Sequence, residues 1–288
     1  MQVRFWGVRG SVAVPNRNML GYGGNTSCVE VTLADGTEII LDAGTGIREL
    51  AAARTPHAST VQILLTHLHL DHIQGLLFFS PFFDPTSEIT VYGPAAPGPN
   101  LDQRLARYLS APLSPVDLHE LPARVQFAPC PHEEWEVGGA RIQAAIVAHR
   151  GVTLGYRITE GDTTLCYLPD HEPALVGDLA QLEPEWISGY SLAHDADVLF
   201  HDCQYTDAEY PAHMGWGHSA LSHTIQMAHR CRVRRVLLFH HDPSHTDDAL
   251  DAMLAVARSE WAELGGDPDQ IEMTSERLEL EVADAHVV

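Results

Sequence analysis

Thr66-His67-Leu68-His69-Leu70-Asp71-His72 puts four metal-competent side chains within six positions, 67 to 72. On a short extended loop, alternation sends His67 and His69 to the same side, where they can grip one ion. Asp71 and His72 follow at the turn and can grip a second. The preceding run, Val61-Gln62-Ile63-Leu64-Leu65, reads as a buried strand. A ligand loop at the end of a parallel strand is where α/β proteins place their sites. The bland alternative is a histidine-rich surface stretch, and the chain does hold 18 His in 288 residues. At that frequency the pattern H-x-H-x-D-H arises by accident in roughly one such chain in several hundred.

The heptad resembles the signature of the metallo-β-lactamase superfamily, and later segments resemble the family's motifs in order. Ile146-Val147-Ala148-His149 carries a histidine after a strand, Thr164-Leu165-Cys166-Tyr167-Leu168-Pro169-Asp170 ends in an acid, and Val236-Leu237-Leu238-Phe239-His240-His241 ends in histidines. The resemblance implies an α/β fold: a four-layer αββα sandwich of two mixed sheets with outer helices and a metal site at one edge. It assigns His67, His69 and His149 to one metal and Asp71, His72 and His240 to the other, with Asp170 bridging. It implies two divalent ions, zinc first, with manganese or iron as alternatives. His241 competes with His240, but adjacent side chains of an extended segment point to opposite faces, and the resemblance favours His240. His171 stands where relatives often carry Thr or Ser, and its role is open.

At 31.6 kDa and 45% hydrophobic residues the chain can bury a large core. The candidate ligands run from His67 to His240 in one series, which argues for a single domain over 1–288. There is no run of 18 apolar residues, and Met1-Gln2-Val3-Arg4-Phe5-Trp6 reads as a first strand, not a signal peptide. Five scattered cysteines (Cys28, Cys130, Cys166, Cys203, Cys231) suit reduced thiols and a cytoplasmic location. Cys166 and Cys231 read as core; Cys203 lies beside a candidate site residue and is either packed or reactive.

Formal charge is −22, and all 17 basic residues are Arg. Such a field repels polyanions, so no general nucleic-acid binding is expected, and no membrane partner. A homodimer is left open.

Residues 2–8, 27–33 and 38–42 read as strands, followed by a helix through Ala53. Gly7, Gly10, Gly44 and Gly46 read as sharp backbone turns. No Walker sequence or G-x-G-x-x-G is present. The Pro-rich stretch 94–125, around a helix at 101–109, is expected to overlie the site edge, and 76–83 to form core and pocket wall. Residues 217–231 and 246–264 read as helices. In the latter, Thr246 is the N-cap, Leu250, Met253, Leu254, Ala257, Trp261 and Leu264 point inward, and Gly265-Gly266 is the stop. Residues 233–239 and 277–282 read as strands.

Two further segments select a branch. Val198-Leu199-Phe200-His201-Asp202 resembles the His-Glu-Ala-Thr stretch of ribonuclease Z, the tRNA 3′-processing endonuclease, with Asp for Glu, one methylene shorter. Gly217-His218-Ser219-Ala220 resembles that enzyme's His-Ser-Thr. The resemblance implies that Asp202 orients His218 and that His218 protonates the leaving oxygen or holds a phosphoryl oxygen. Ribonuclease Z itself fits less well, because its tRNA-gripping arm would have to fit into the 20 residues between His149 and Asp170. The opening 5–11 and the stretch 23–27 resemble armless relatives, including cyclic-phosphate diesterases. A phosphodiesterase for small or cyclic phosphodiesters is therefore expected, acting through a metal-bridging hydroxide, with Asp71 holding the water. Arg150 is a candidate for binding phosphoryl oxygens, or else a surface salt-bridge residue. The alternative is a lactonase or thioesterase, which would need no His218–Asp202 pair.

Overall fold

The computed structural model describes residues 1–54, 60–131 and 134–283. The first sheet is built mainly from the N-terminal half: β1 (Gln2–Gly7), β2 (Cys28–Thr32), β3 (Glu38–Leu41), β4 (Thr60–Leu64), β5 (Glu88–Gly93) and β6 (Arg124–Pro129). The second is built from β7 (Trp135–Val137), β8 (Ala140–Ile146), β9 (Leu154–Glu160), β10 (Thr163–Leu168), β11 (Val198–Asp202), β12 (Arg235–Phe239) and β13 (Ile271–Met273). The last strand, β14 (Glu279–Glu281), returns to pair with β1. The orders are β14-β1-β2-β3-β4-β5-β6 and β13-β12-β11-β10-β9-β8-β7, seven strands each.

Both sheets are mixed. β3 to β6 run parallel, as do β10 to β13, while β1–β2–β3 and β7–β8–β9–β10 are antiparallel. The central parallel strands are the near-continuous apolar runs of the sequence, because helices cover one face and the other sheet covers the opposite one. Phe5 on β1 meets Phe200 on β11 at 4.9 Å between ring centres, which places the inner core between the sheets.

The outer helices complete four layers. α1 (Gly46–Ala53) covers the first sheet. It is followed by the short α2 (Leu70–Ile73), α3 (Leu101–Leu105), α4 (Tyr190–Ala193) and α5 (Tyr210–His213). α6 (Leu221–Arg230) and α7 (Asp247–Glu263) cover the second sheet. In α7, Thr246 Oγ1 accepts from Ala249 N–H, and Leu250, Met253, Ala257 and Trp261 are buried. Leu254 is half-buried, but Leu264 is 41% exposed, because it lies at the C-cap beyond the last inward turn. Gly265 then takes φ +88°, the left-handed position that ends helices.

Other expectations shift. The helix at 101–109 is regular only through Leu105, and the helix read over 217–231 begins at Leu221, so His218 lies in an extended lead-in. Residues 108–116 pack on the outer side of α2, lining a cavity of about 520 Å³ with Leu70, Ile73 and Phe78. They flank the ligand loop there, on a different face of α2 from the one His72 presents. In 76–83, Leu76, Phe79 and Phe82 are fully buried while Phe78 and Phe83 stay exposed. All five cysteines are free and buried, and burial pushes the Cys203 thiol up, so it is a packing residue. Among the described residues no helix is long and apolar enough to cross a membrane.

Candidate metal centre

The C-terminal ends of β3 and β4 in one sheet and of β10, β11 and β12 in the other open onto the same edge of the sandwich. Each delivers polar groups there: Asp42, the 66–72 loop, Asp170, Asp202 and His240. His149 arrives from the turn after β8. Burying them in this way brings together donors that are up to 173 residues apart in sequence.

Among the described residues two donor groups hold the candidate ligands, one of His67, His69, His149 and Asp170, the other of Asp71, His72 and His240, and a third set, Asp170, His218 and His240, overlaps them. In the first, His149 Nε2 stands 3.3 Å from His69 Nδ1 and 3.5 Å from Asp170 Oδ2, and His67 Nε2 is 3.7 Å from the same oxygen. In the second, Asp71 Oδ2 is 3.3 Å from both His72 Nε2 and His240 Nε2. Asp170 faces both groups: its other oxygen, Oδ1, is 3.0 Å from His72 Nε2 and 3.3 Å from His240 Nε2.

These spacings suit cations. Tetrahedral ligands about 2.1 Å from one ion stand about 3.4 Å apart. His67 Nε2, His72 Nε2 and Asp170 Oδ1 are buried with no hydrogen-bond partner, and buried polar atoms rarely stay unsatisfied. The far nitrogens explain why. His67 Nδ1 bonds Thr66 Oγ1 at 3.1 Å, His72 Nδ1 bonds Asp42 Oδ2 at 2.8 Å, His149 Nδ1 bonds the Gly217 carbonyl at 2.7 Å, and His240 Nδ1 bonds Gln204 Oε1 at 3.0 Å. Each acceptor takes the Nδ1 proton and leaves the Nε2 lone pair facing its group. Electrostatics agree. Burial holds the His67 imidazole well below its usual value, so it is a neutral donor. Around His72, burial is overcome by Asp170, Asp71 and Asp42, which hold it well above. Three carboxylates around one imidazole are an excess of negative charge that cations offset.

The backbone is shaped for this packing. Gly10 and Gly44 lie at backbone bends, as read, and also serve close approach. A Cβ on Gly44 would lie 2.3 Å from the Asp71 carbonyl, and one on Gly10 2.6 Å from the His240 ring. Asp42 and His240 have φ near +60°, a strained conformation for such residues that the surrounding bonds enforce. Ser11 N–H donates to Asp71 Oδ2 at 2.7 Å.

His218 lies against both groups, its ring 5.0 Å from His149 and 5.0 Å from His240. Its Nδ1 bonds Asp202 Oδ2 at 2.6 Å, so the shorter Asp still reaches. Burial pulls the His218 imidazole down, but Asp202 outweighs it and raises the group to about 9. Asp202 is itself held by the N–H groups of His171, Gln204 and Ser219.

The open residues resolve differently. His241 bonds the Thr274 carbonyl through Nε2 and lies outside both groups. His171 is buried against His201, Nδ1 to Nε2 at 2.9 Å. Arg150 donates from Nε to the Gly215 carbonyl at 3.0 Å, and among the described residues no ion pair of it is seen. Sequence reasoning missed Asp42, Gln204 and Glu172. Asp42 carried a signal, an acid at a strand end before a glycine turn; Gln204 carried none.

Fold and donor groups together define a metal-dependent hydrolase of the metallo-β-lactamase fold. The chain belongs to the beta-lactamase superfamily, whose domain model matches residues 37–241. It is 26% identical over 294 aligned positions to the ribonuclease Z of Kineococcus radiotolerans, covering 90% of this chain and 88% of that one. Among solved structures, the short form of human tRNase Z matches with TM-score 0.68 and 18% identity, over 99% of this chain and 100% of that one. A diphosphatase of the PhnP family matches with TM-score 0.70 and 18% identity, over 98% of each chain.

Proposed function

We propose that this protein is a dinuclear phosphodiesterase acting on small or cyclic phosphodiesters. His67, His69 and His149 would hold one divalent ion and Asp71, His72 and His240 a second, with Asp170 facing both; zinc would suit this nitrogen-rich set. When bound, the ions supply an activated water and positive charge against the phosphoryl oxygens. Asp71, fixed by the Ser11 N–H, accepts a hydrogen bond from the attacking water. His218 delivers a proton to the departing alkoxide. Its Nδ1 is committed to Asp202, so Nε2 is the nitrogen free for that transfer. Cations bound nearby would lower its raised pKa, toward the range where an acid is most useful. The observation that carries the reading is this buried His218–Asp202 pair set against both donor groups, a proton source for an alkoxide leaving group; thioester hydrolysis, whose thiolate departs unprotonated, has less need of it.

A second reading, a tRNA 3′-processing endonuclease, is favoured by the relatives named ribonuclease Z. Against it, the chain between His149 and Asp170 is a turn plus the β9–β10 hairpin, with no insertion to hold a tRNA.

The test is a panel of bis(p-nitrophenyl) phosphate, 2′,3′-cyclic nucleotides, lactones, thioesters and a tRNA precursor. The highest kcat/KM is expected on the small phosphodiesters. Efficient lactone or thioester cleavage with phosphodiesters untouched would overturn the reaction class. Preferential cleavage of the precursor would establish the second reading.

A further inference from the structure

The 213–217 loop is clamped from beneath by Glu172. This carboxylate is 1% exposed and accepts from Gly215 N–H and Gly217 N–H, each at 2.7 Å, and from the Tyr210 hydroxyl at 2.8 Å. Gly215 and Gly217 adopt φ of +80° and +96°, conformations that other residues reach only under strain. Between them Trp216 is 54% exposed, and Met214 beside it is 62% exposed.

Single exposed apolar side chains are ordinary. Here two features set the pair apart. The clamp fixes the backbone on either side of Trp216, so the indole projects from a loop tied to a buried carboxylate. The ring is also linked to the centre by contact. It stands edge-on to His213 at 4.9 Å, His213 stacks on Tyr205 at 4.3 Å, and Tyr205 meets His218 at 6.1 Å. The same loop buttresses His149 through the Gly217 carbonyl and takes the Arg150 Nε–H on the Gly215 carbonyl.

We infer that Trp216, with Met214 and Arg150 beside it, is a stacking subsite for a planar aromatic group of the substrate, of the nucleobase kind, on the side of the centre where His218 sits. The inference rests on the phosphodiester reading above. A base offers a π face to the indole while its phosphate reaches the donor groups. Because the protein's −22 charge does not attract phosphates from a distance, short-range stacking is the natural source of affinity.

The test compares a 2′,3′-cyclic nucleotide with the base-free glycerol 1,2-cyclic phosphate. Trp216→Ala should raise KM for the nucleotide about 5- to 100-fold more than for the base-free substrate, and Trp216→Phe should restore most of the difference. Binding is also read without turnover: AMP should quench the tryptophan fluorescence of the native protein, and Trp216→Phe should abolish most of the quench. Equal KM changes on the two substrates, or a quench unaffected by Trp216→Phe, would overturn the subsite. A Trp216-dependent quench with neither cyclic phosphate hydrolysed would support the subsite and defeat the phosphodiesterase reading instead.

Discussion

The two donor groups are built to different standards of rigidity. In the group of Asp71, His72 and His240 every member is buried, and each is held by a further residue: Ser11 N–H, the Asp42 carboxylate and Gln204. Asp42 is itself fixed by Thr66 and the Tyr167 hydroxyl. In the group of His67, His69 and His149, the His67 and His149 rings are buried and held through Nδ1, but His69 is exposed, and among the described residues no hydrogen bond to its outer nitrogen is seen. The buried group is the more firmly held, and the other reaches solvent through His69. Exchange with solvent should follow the same asymmetry.

The largest effect is expected where the groups share a residue. Asp170→Asn removes the charge facing both, so both ions should bind poorly and the rate should fall by about three orders of magnitude or more. Metal analysis alongside turnover checks this; loss of only one ion would mean that Asp170 belongs to one group.

His218→Ala should leave metal content intact. It should lower kcat on poor, alkoxide leaving groups by roughly 10²–10⁴, and far less on p-nitrophenolate, which departs without a proton. Equal losses on both would place His218 on the phosphoryl oxygens.

Asp42→Asn probes mainly the buried group, because Asp42 bonds His72 directly and reaches His67 only through Thr66. It should weaken the ion at Asp71, His72 and His240 by about 10- to 100-fold and leave the other nearly unchanged. Equal weakening, read by calorimetric titration, would erase the distinction between the groups. The smallest effect is kinetic. Under mild chelation the ion at the exposed His69 should leave before the anchored one, which a two-phase release followed with a chromogenic chelator would show.

Much of this was legible from 66–72, because ligands so close together leave little freedom of arrangement. His149, Asp170 and His240 were legible only through the resemblance, since one polar residue at a strand end carries no local signal. Asp42, Gln204 and Glu172 act through another residue, and that relation exists only after the two sheets close on each other. The turns at Gly10 and Gly44 were legible, but their second role was not, because what they accommodate, the His240 ring and the Asp71 carbonyl, comes from distant chain. The helix read from 217 begins only at Leu221, because the Gly217 conformation and the bonds of Ser219 and Tyr205 hold 217–220 extended.

The central claim is that both donor groups, loaded together, make one phosphodiesterase. Metal-free protein titrated with zinc and assayed with bis(p-nitrophenyl) phosphate tests it directly. The account predicts that activity climbs to a plateau at about two equivalents per chain. Full activity at one equivalent, with a second ion adding nothing, would contradict it.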